Sequence, residues 1–290
     1  DSDDDTRQWV IGFVTQWTTG SFSTGYIRRF QAHSEGGDTD VNIGIVSGNL
    51  EKKLGSNLRL KASGEYAVYL GESTLSQSVI DPAPLDIFAE GGIARFGLGW
   101  GPLDSLLETG YASGDRNAFD RTQNTFRFDS NYRVGTLLYP HLLRTFSAAS
   151  ARNIDDPNFR AEAPRGFDTI ATQGAVENSV YINPRVLWRI NTNLSVNAGW
   201  LHARSATPWT DPYRSSLNGG TPTGPNGRIG STDLGQEWHV GADFTMRLLY
   251  TQWVSRAWFT HCKPGRAFDD VGGKQLDAFI GTGFMTGVLW

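Results

Sequence analysis

The sequence predicts an all-β protein, an antiparallel transmembrane β-barrel. Three observations carry that prediction: strict alternation in the last stretch of chain, its recurrence upstream, and connections sorted into short and long. In KQLDAFIGTGFMTGVLW, every second residue from Leu276 is apolar or small: Leu276, Ala278, Ile280, Thr282, Phe284, Thr286, Val288 and Trp290. Gln275, Asp277, Gly281 and Gly283 occupy the other phase. A period of two means an extended strand with one greasy and one wet face. Closing such a strand on Trp290 suits a barrel whose last strand runs into an aromatic girdle at the membrane interface.

The remaining elements follow in order. Residues 8–17 set Trp9, Ile11, Phe13 and Trp17 against Gln8, Gly12 and Gln16, while 24–32 and 40–51 alternate more weakly. Residues 57–70 are the clearest internal case, with Leu58, Leu60, Ala62, Tyr66, Val68 and Leu70 opposite Arg59, Lys61, Ser63 and Glu65. Residues 86–99 alternate with an expected bulge at Gly91-Gly92, and 103–113 follow Gly101-Pro102. Val180, Ile182, Val186, Trp188 and Ile190 oppose Asn183, Arg185 and Arg189 in 179–190. Residues 193–204, 235–248, 252–261 and 274–290 complete eleven strands. About 9–11 residues cross a bilayer when tilted.

Short turns fall at Leu54–Asn57, Gly99–Pro102, Asn191–Asn193 and Leu249–Gln252. Long polar, Gly/Pro-rich connections fall at 71–85, 114–178, 205–234 and 262–273. Short periplasmic turns and long extracellular loops are the asymmetry of outer-membrane barrels. Residues 1–290 are therefore read as one barrel domain, with 114–178 a long extracellular loop. Within that loop, 131–142 (Tyr132, Val134, Thr136, Leu138) is either a further strand or a segment folded into the lumen as a constriction. With Trp290 on the periplasmic side, eleven strands put the first strand running inward and Asp1–Asp5 outside. Bacterial barrels have an even strand number, so the expectation is the C-terminal part of a larger barrel. The start, DSDDDTRQW, carries no basic or apolar leader, so the chain is expected to be processed or to begin inside a longer protein.

Composition agrees. The 290 residues include 34 Gly, 10 Trp, 9 Tyr and 16 Phe, which suits many strands, tight turns and girdles. Mean hydropathy is −0.36, as expected where lumen-facing residues dilute lipid-facing ones. No apolar run approaches the ~18 residues of a spanning helix. A net charge of −4 gives no ground for nucleic-acid binding, and the lone Cys262 excludes an internal disulfide and a thiolate metal cluster.

Residues 107–139, LETGYASGDRNAFDRTQNTFRFDSNYRVGTLLY, carry a strand ending in E-T-G-x-A-S-G-D and a return through F-x-F-x-x-N-Y-x-V-G. This pattern resembles the alginate-export family of outer-membrane porins. NSVYINPRVLWRI (178–190), LGQEWHVGADF (234–244) and KPGRAFDD (263–270) fit the same picture, and the likeness covers roughly 80 residues of the C-terminal two-thirds. The resemblance implies a large single-chain barrel of the Gram-negative outer membrane, longer than this chain. It also implies passage of an anionic polysaccharide or smaller anion through an Arg-rich lumen.

The polar phases place seven basic residues in the lumen, Arg59, Lys61, Arg95, Arg185, Arg189, Arg247 and Arg256, against Glu65, Glu90, Glu108, Glu237, Asp243 and Asp277. Two readings stand: cross-strand ion pairs lining a wet lumen, or an Arg track for a polyanion, since the guanidinium fork binds carboxylates bidentately. Trp9, Trp17, Trp100, Trp188, Trp200, Trp253, Trp258 and Trp290 fall near strand ends, where aromatic anchoring is expected. For Trp258 a lumenal platform for stacking sugars is the alternative.

Enzyme chemistry finds little support. His33 and Ser34 point opposite ways on an extended segment, and His239 and Asp243, four residues apart on one strand, are over ~13 Å apart. Asp115, Asn117 and Asp120, and likewise Asp269-Asp270, follow no calcium-loop spacing. The expectation is an outer-membrane channel for passive diffusion or export of a hydrophilic solute, with no enzymatic activity, no cofactor and no metal. Its expected surroundings are outer-membrane lipid and lipopolysaccharide. The alternative is a plugged scaffold or a partner-binding subunit of a larger complex.

Overall fold

All eleven alternating segments form strands in the computed structural model, which describes residues 5–32, 37–74, 83–117, 120–150, 170–225, 227, 229–248, 250–270 and 272–289. In chain order they are β1 (Thr6–Trp17), β2 (Gly20–Ala32), β3 (Asp38–Leu54), β4 (Leu58–Ser73), β5 (Leu85–Trp100) and β6 (Leu103–Ala112), then, after a two-residue β7 (Thr122–Gln123), β8 (Ser179–Arg189), β9 (Leu194–Arg204), β10 (Asp233–Leu248), β11 (Thr251–Pro264) and β12 (Phe279–Leu289). The spanning strands pair with their chain neighbours, and β7 lies off the path on β5. Every ladder between spanning strands is antiparallel. β1 and β12 end the order and do not pair, so the sheet is open.

The tight connections all lie at one end of the sheet, and the longer ones at the other. Gly55 and Gly101 turn the chain between β3 and β4 and between β5 and β6, with φ of +73° and +55°. Side chains there would strain an L residue, which is why glycine occupies both. Near this short-turn end, Trp17, Trp100, Trp188 and Trp253 project from the outer face and are 42–66 % exposed. An outward band of tryptophans at one level is the expected anchor at a bilayer interface. Trp9 projects outward near the opposite end of β1. Trp290 lies outside the described residues.

The structure corrects two sequence-based expectations, at Gly91-Gly92 and at Asp277, and decides between the alternatives at 131–142 and at Trp258. Pairing of β4 with β5 runs without a shift from Leu58–Trp100 to Ser73–Leu85, so Gly91-Gly92 is no bulge. The two glycines instead make room for rings on opposite faces: a Cβ on Gly91 would meet the Phe126 ring, and one on Gly92 the Tyr66 ring. With no bulge to flip the phase, Glu90 faces outward, where it accepts a hydrogen bond from Tyr66. Second, β12 begins at Phe279, leaving Asp277 ahead of the strand rather than on its wet face. Residues 131–142 form no strand; a π-helical turn, Leu138–Leu143, leads into α1 (Arg144–Ser150). Trp258 pairs with Gly283 in the inward phase, so its ring lies on the inner face and fills the space that the glycine leaves open.

The core sits between the sheet's inner face and the segment that follows β6. Phe126, Phe128, Val134, Leu138, Tyr139 and Leu143 from this segment are buried against Ala67, Ala89, Tyr181, Leu201 and Ala203 from the strands. Ile45, Tyr69 and Ile93 on β3–β5 pack against its edge.

Candidate functional site

The inner face divides into a covered part toward the long loops and a wet part toward the short turns. Residues 120–143 form a strap across the covered part. On β3–β5 it is held by aromatic packing of Phe126 against Tyr69 at 5.1 Å, and within the strap Phe128 meets Tyr132 at 5.8 Å. Tyr132 then meets Arg95, whose guanidinium lies 5.2 Å from its ring centroid and donates to its hydroxyl at 2.7 Å. Tyr139 contacts Tyr181 edge to face on β8. At β10 the strap is latched by Glu237, which is fully buried. Its carboxylate accepts the backbone N–H groups of Thr136, Leu137 and Leu138 at 2.7–2.9 Å, and the Thr136 hydroxyl at 2.8 Å. The first N–H groups of a helical turn have no partner within it, and an anion at that end satisfies them. Thr136 also bonds Thr260 on β11 at 2.8 Å, and Leu137 reaches the space above Gly281 on β12.

The charged residues group around carboxylates. Glu108 accepts from Arg95 Nε at 2.8 Å and from Arg185 at 3.1 Å, with the Tyr181 hydroxyl also at 3.1 Å. Asp104 accepts from Arg59 at 3.1 Å and from Arg189. Asp243 is paired with Arg256 and bonded by Asn197 at 3.2 Å, while Lys61 reaches Glu51 at 3.2 Å. Arg247 lies at the exposed short-turn end of β10.

The inner face thus carries Arg59, Lys61, Arg95, Arg185, Arg189, Arg247 and Arg256, as well as Glu108, Glu237, Glu65 and Asp243. Register adds Asp104, Glu51, Arg29 and Lys53 and removes Glu90 and Asp277. Asp104 was hidden because Leu106 shares its phase, though its spacing of four from Glu108 is a signal. Nothing in the local sequence marks the latch residue Thr136, because its partners lie about a hundred positions away.

Next to these clusters is a cavity of about 330 Å³, lined by Asp104, Leu106, Arg185, Leu187, Asn197 and His239. Arg185 Nε, His239 Nδ1 and the nearby Asn183 Oδ1 have no hydrogen-bond partner among the described residues. Buried polar atoms without protein partners are normally met by water or solute. The Asp115 carboxylate accepts the backbone N–H groups of Asn117 and Asn124 at 2.8 and 3.2 Å, ordering its own turn. Among the described residues, no three His, Cys, Asp or Glu gather as metal ligands.

Open sheets of this length, with short turns at one end and long loops at the other, can be compared with solved structures. OccAB2 of Acinetobacter baumannii, an outer-membrane β-barrel, superposes over 98 % of this chain with a TM-score of 0.50 and 11 % identity. The fold is that of an outer-membrane β-barrel. This chain spans 55 % of the length of OccAB2. The translocator domain of the autotransporter NalP from Neisseria meningitidis aligns over 98 % of this chain and 78 % of its own, at 11 % identity and a TM-score of 0.28. No family model matches the sequence, and no curated protein matches it. The alginate-export resemblance therefore rests on the sequence motifs alone, while the barrel fold they implied stands on the structure.

Proposed function

We propose that this barrel is an outer-membrane channel passing a hydrophilic, anionic solute, such as an alginate-like polysaccharide or a smaller anion. The observation that carries the reading is the pair of two-to-one clusters on the inner face, one in its wet part and one at the margin of the strap. Asp104 is held by Arg59 and Arg189, and Glu108 by Arg95 and Arg185, so each cluster keeps one positive charge in excess. Arginines fixed by a carboxylate are pre-oriented, and their outer N–H groups can meet a passing carboxylate. With Arg29, Lys53, Arg247 and the rest of the inner face included, nine basic residues oppose six acidic ones, one of which, Glu237, is sealed under the strap. The barrel likeness to OccAB2, a porin, supports a channel in general terms and leaves the solute to be measured.

The strap favours a second reading, a plugged scaffold, because it crosses the inner face from β3 to β12. Conductance across a planar bilayer under a salt gradient separates the two. Stable steps with a reversal potential on the anion side support the channel. A folded protein, shown by heat-modifiable migration in a detergent gel, that gives no steps supports the plugged form.

A further inference from the structure

At the long-loop end, outside the wet inner face, a second cavity of about 220 Å³ lies between the β9–β10 and β11–β12 connections. Trp209, Pro225, Ile229, Ser231, Arg266 and Asp269 line it. Its walls are anchored. The Trp209 ring meets Phe146 edge to face at 6.2 Å, and Phe146 meets Phe268 at 4.9 Å. Gly265 N–H donates to Leu234 O at 3.2 Å, which ties the turn bearing Arg266 and Asp269 to β10.

Two residues that line this cavity each carry a buried polar atom with no hydrogen-bond partner among the described residues: the Trp209 indole N–H, a donor, and Asp269 Oδ1, an acceptor. Asp269 is 8 % exposed, and its other oxygen lies 3.7 Å from Arg266 Nε. An orphaned donor and an orphaned acceptor on one cavity call for groups that both give and take a hydrogen bond, which is the property of a hydroxyl. The carboxylate disfavours an anion, and the neighbouring guanidinium disfavours a cation. Pro225 and Ile229 supply apolar wall, which suits the C–H edges of a sugar ring.

We propose that this cavity binds one ring of an uncharged, polyhydroxylated ligand, a neutral sugar residue, at the mouth of the barrel. Trp209 donates to one hydroxyl oxygen, Asp269 accepts from a hydroxyl, and Arg266 at the exposed edge donates to a further oxygen. The site does not depend on the inner face being a channel.

The test is saturation-transfer NMR of the folded protein in an amine-oxide detergent, with D-glucose, D-galactose and D-mannose as probes. Saturable binding of at least one is expected, weakened about tenfold or more by Trp209→Phe and by Asp269→Ala. Ile229→Trp, at a residue 59 % exposed, fills the cavity without disturbing the core and should abolish binding. The proposal is overturned if the folded protein binds none of the three, if its binding survives Ile229→Trp, or if a folded Trp209→Phe or Asp269→Ala variant binds as the parent does. A water molecule satisfying both orphans would produce the first of these results.

Discussion

Glu237 holds the amide and the hydroxyl of Thr136 at 2.7 and 2.8 Å, joining a barrel strand to a loop residue about a hundred positions earlier in the chain. Because the same carboxylate takes two further amides, one side chain carries the strap's attachment to β10. Removing it leaves buried donors unpaired, at a cost of roughly 1–3 kcal/mol each. Glu237→Ala should therefore release residues 136–143, seen as faster deuterium exchange there and as larger or noisier conductance steps. Unchanged exchange would show that aromatic packing alone holds the strap.

Charge reversal of Arg185 and Arg189 tests the anionic path. Replacing both with Glu turns the excess at Glu108 and Asp104 negative, and the reversal potential should move toward cation preference. The double Gln variant, milder because it adds no like charge beside the carboxylates, should shift it in the same direction by less. A reversal potential unmoved by either variant takes both residues out of the path.

Acidity should tighten the loop. Glu177, which pairs with Arg127 and lies just ahead of β8, is so buried that its carboxyl is pushed up from 4.5 to about 7. A raised carboxyl pKa means the folded state holds the proton more tightly than the unfolded one. The stabilisation is full below about pH 4.5 and is lost as pH rises through about 7. Burial raises the Asp115 carboxyl as well, with the same sign. Relative to the intrinsic amide rate at each pH, residues 170–177 should be better protected from exchange at pH 5 than at pH 8, and Glu177→Gln should flatten most of that difference.

Gly91 tests the packing of the strap on β5. A Cβ there would lie 2.6 and 2.9 Å from atoms of the Phe126 ring, so Gly91→Ala should displace the ring at a cost of about 1–3 kcal/mol. The Gly91→Ala, Phe126→Leu double variant should recover part of the loss in urea unfolding from vesicles. Equal losses in the single and double variants would mean the contact is not the source.

Strand identity was legible wherever one face is wet and the other greasy, as in 57–70 and the closing strand. Segments 24–32 and 40–51 read weakly for a physical reason. Ile27, Ile43 and Ile45 are apolar on the inner phase, and Ile45 is covered by the strap's core instead of by water. The same strap explains Glu237. Its parity placed it inward, and only the fold shows that a carboxylate there anchors a loop. Glu90 was misplaced because two adjacent glycines suggest a bulge as readily as they suggest room for Tyr66 and Phe126.

The open sheet has a directional consequence. Eleven antiparallel spanning strands leave β1 and β12 running the same way, so joining them to each other would demand a parallel ladder found between no other spanning pair. An odd number of intervening strands removes that mismatch. Hydrocarbon offers no water to bare backbone amides and carbonyls, each of which costs several kcal/mol there. Both margins of the sheet therefore need backbone partners before either can rest in a bilayer, and the order in which they are met sets the route by which the wall is sealed.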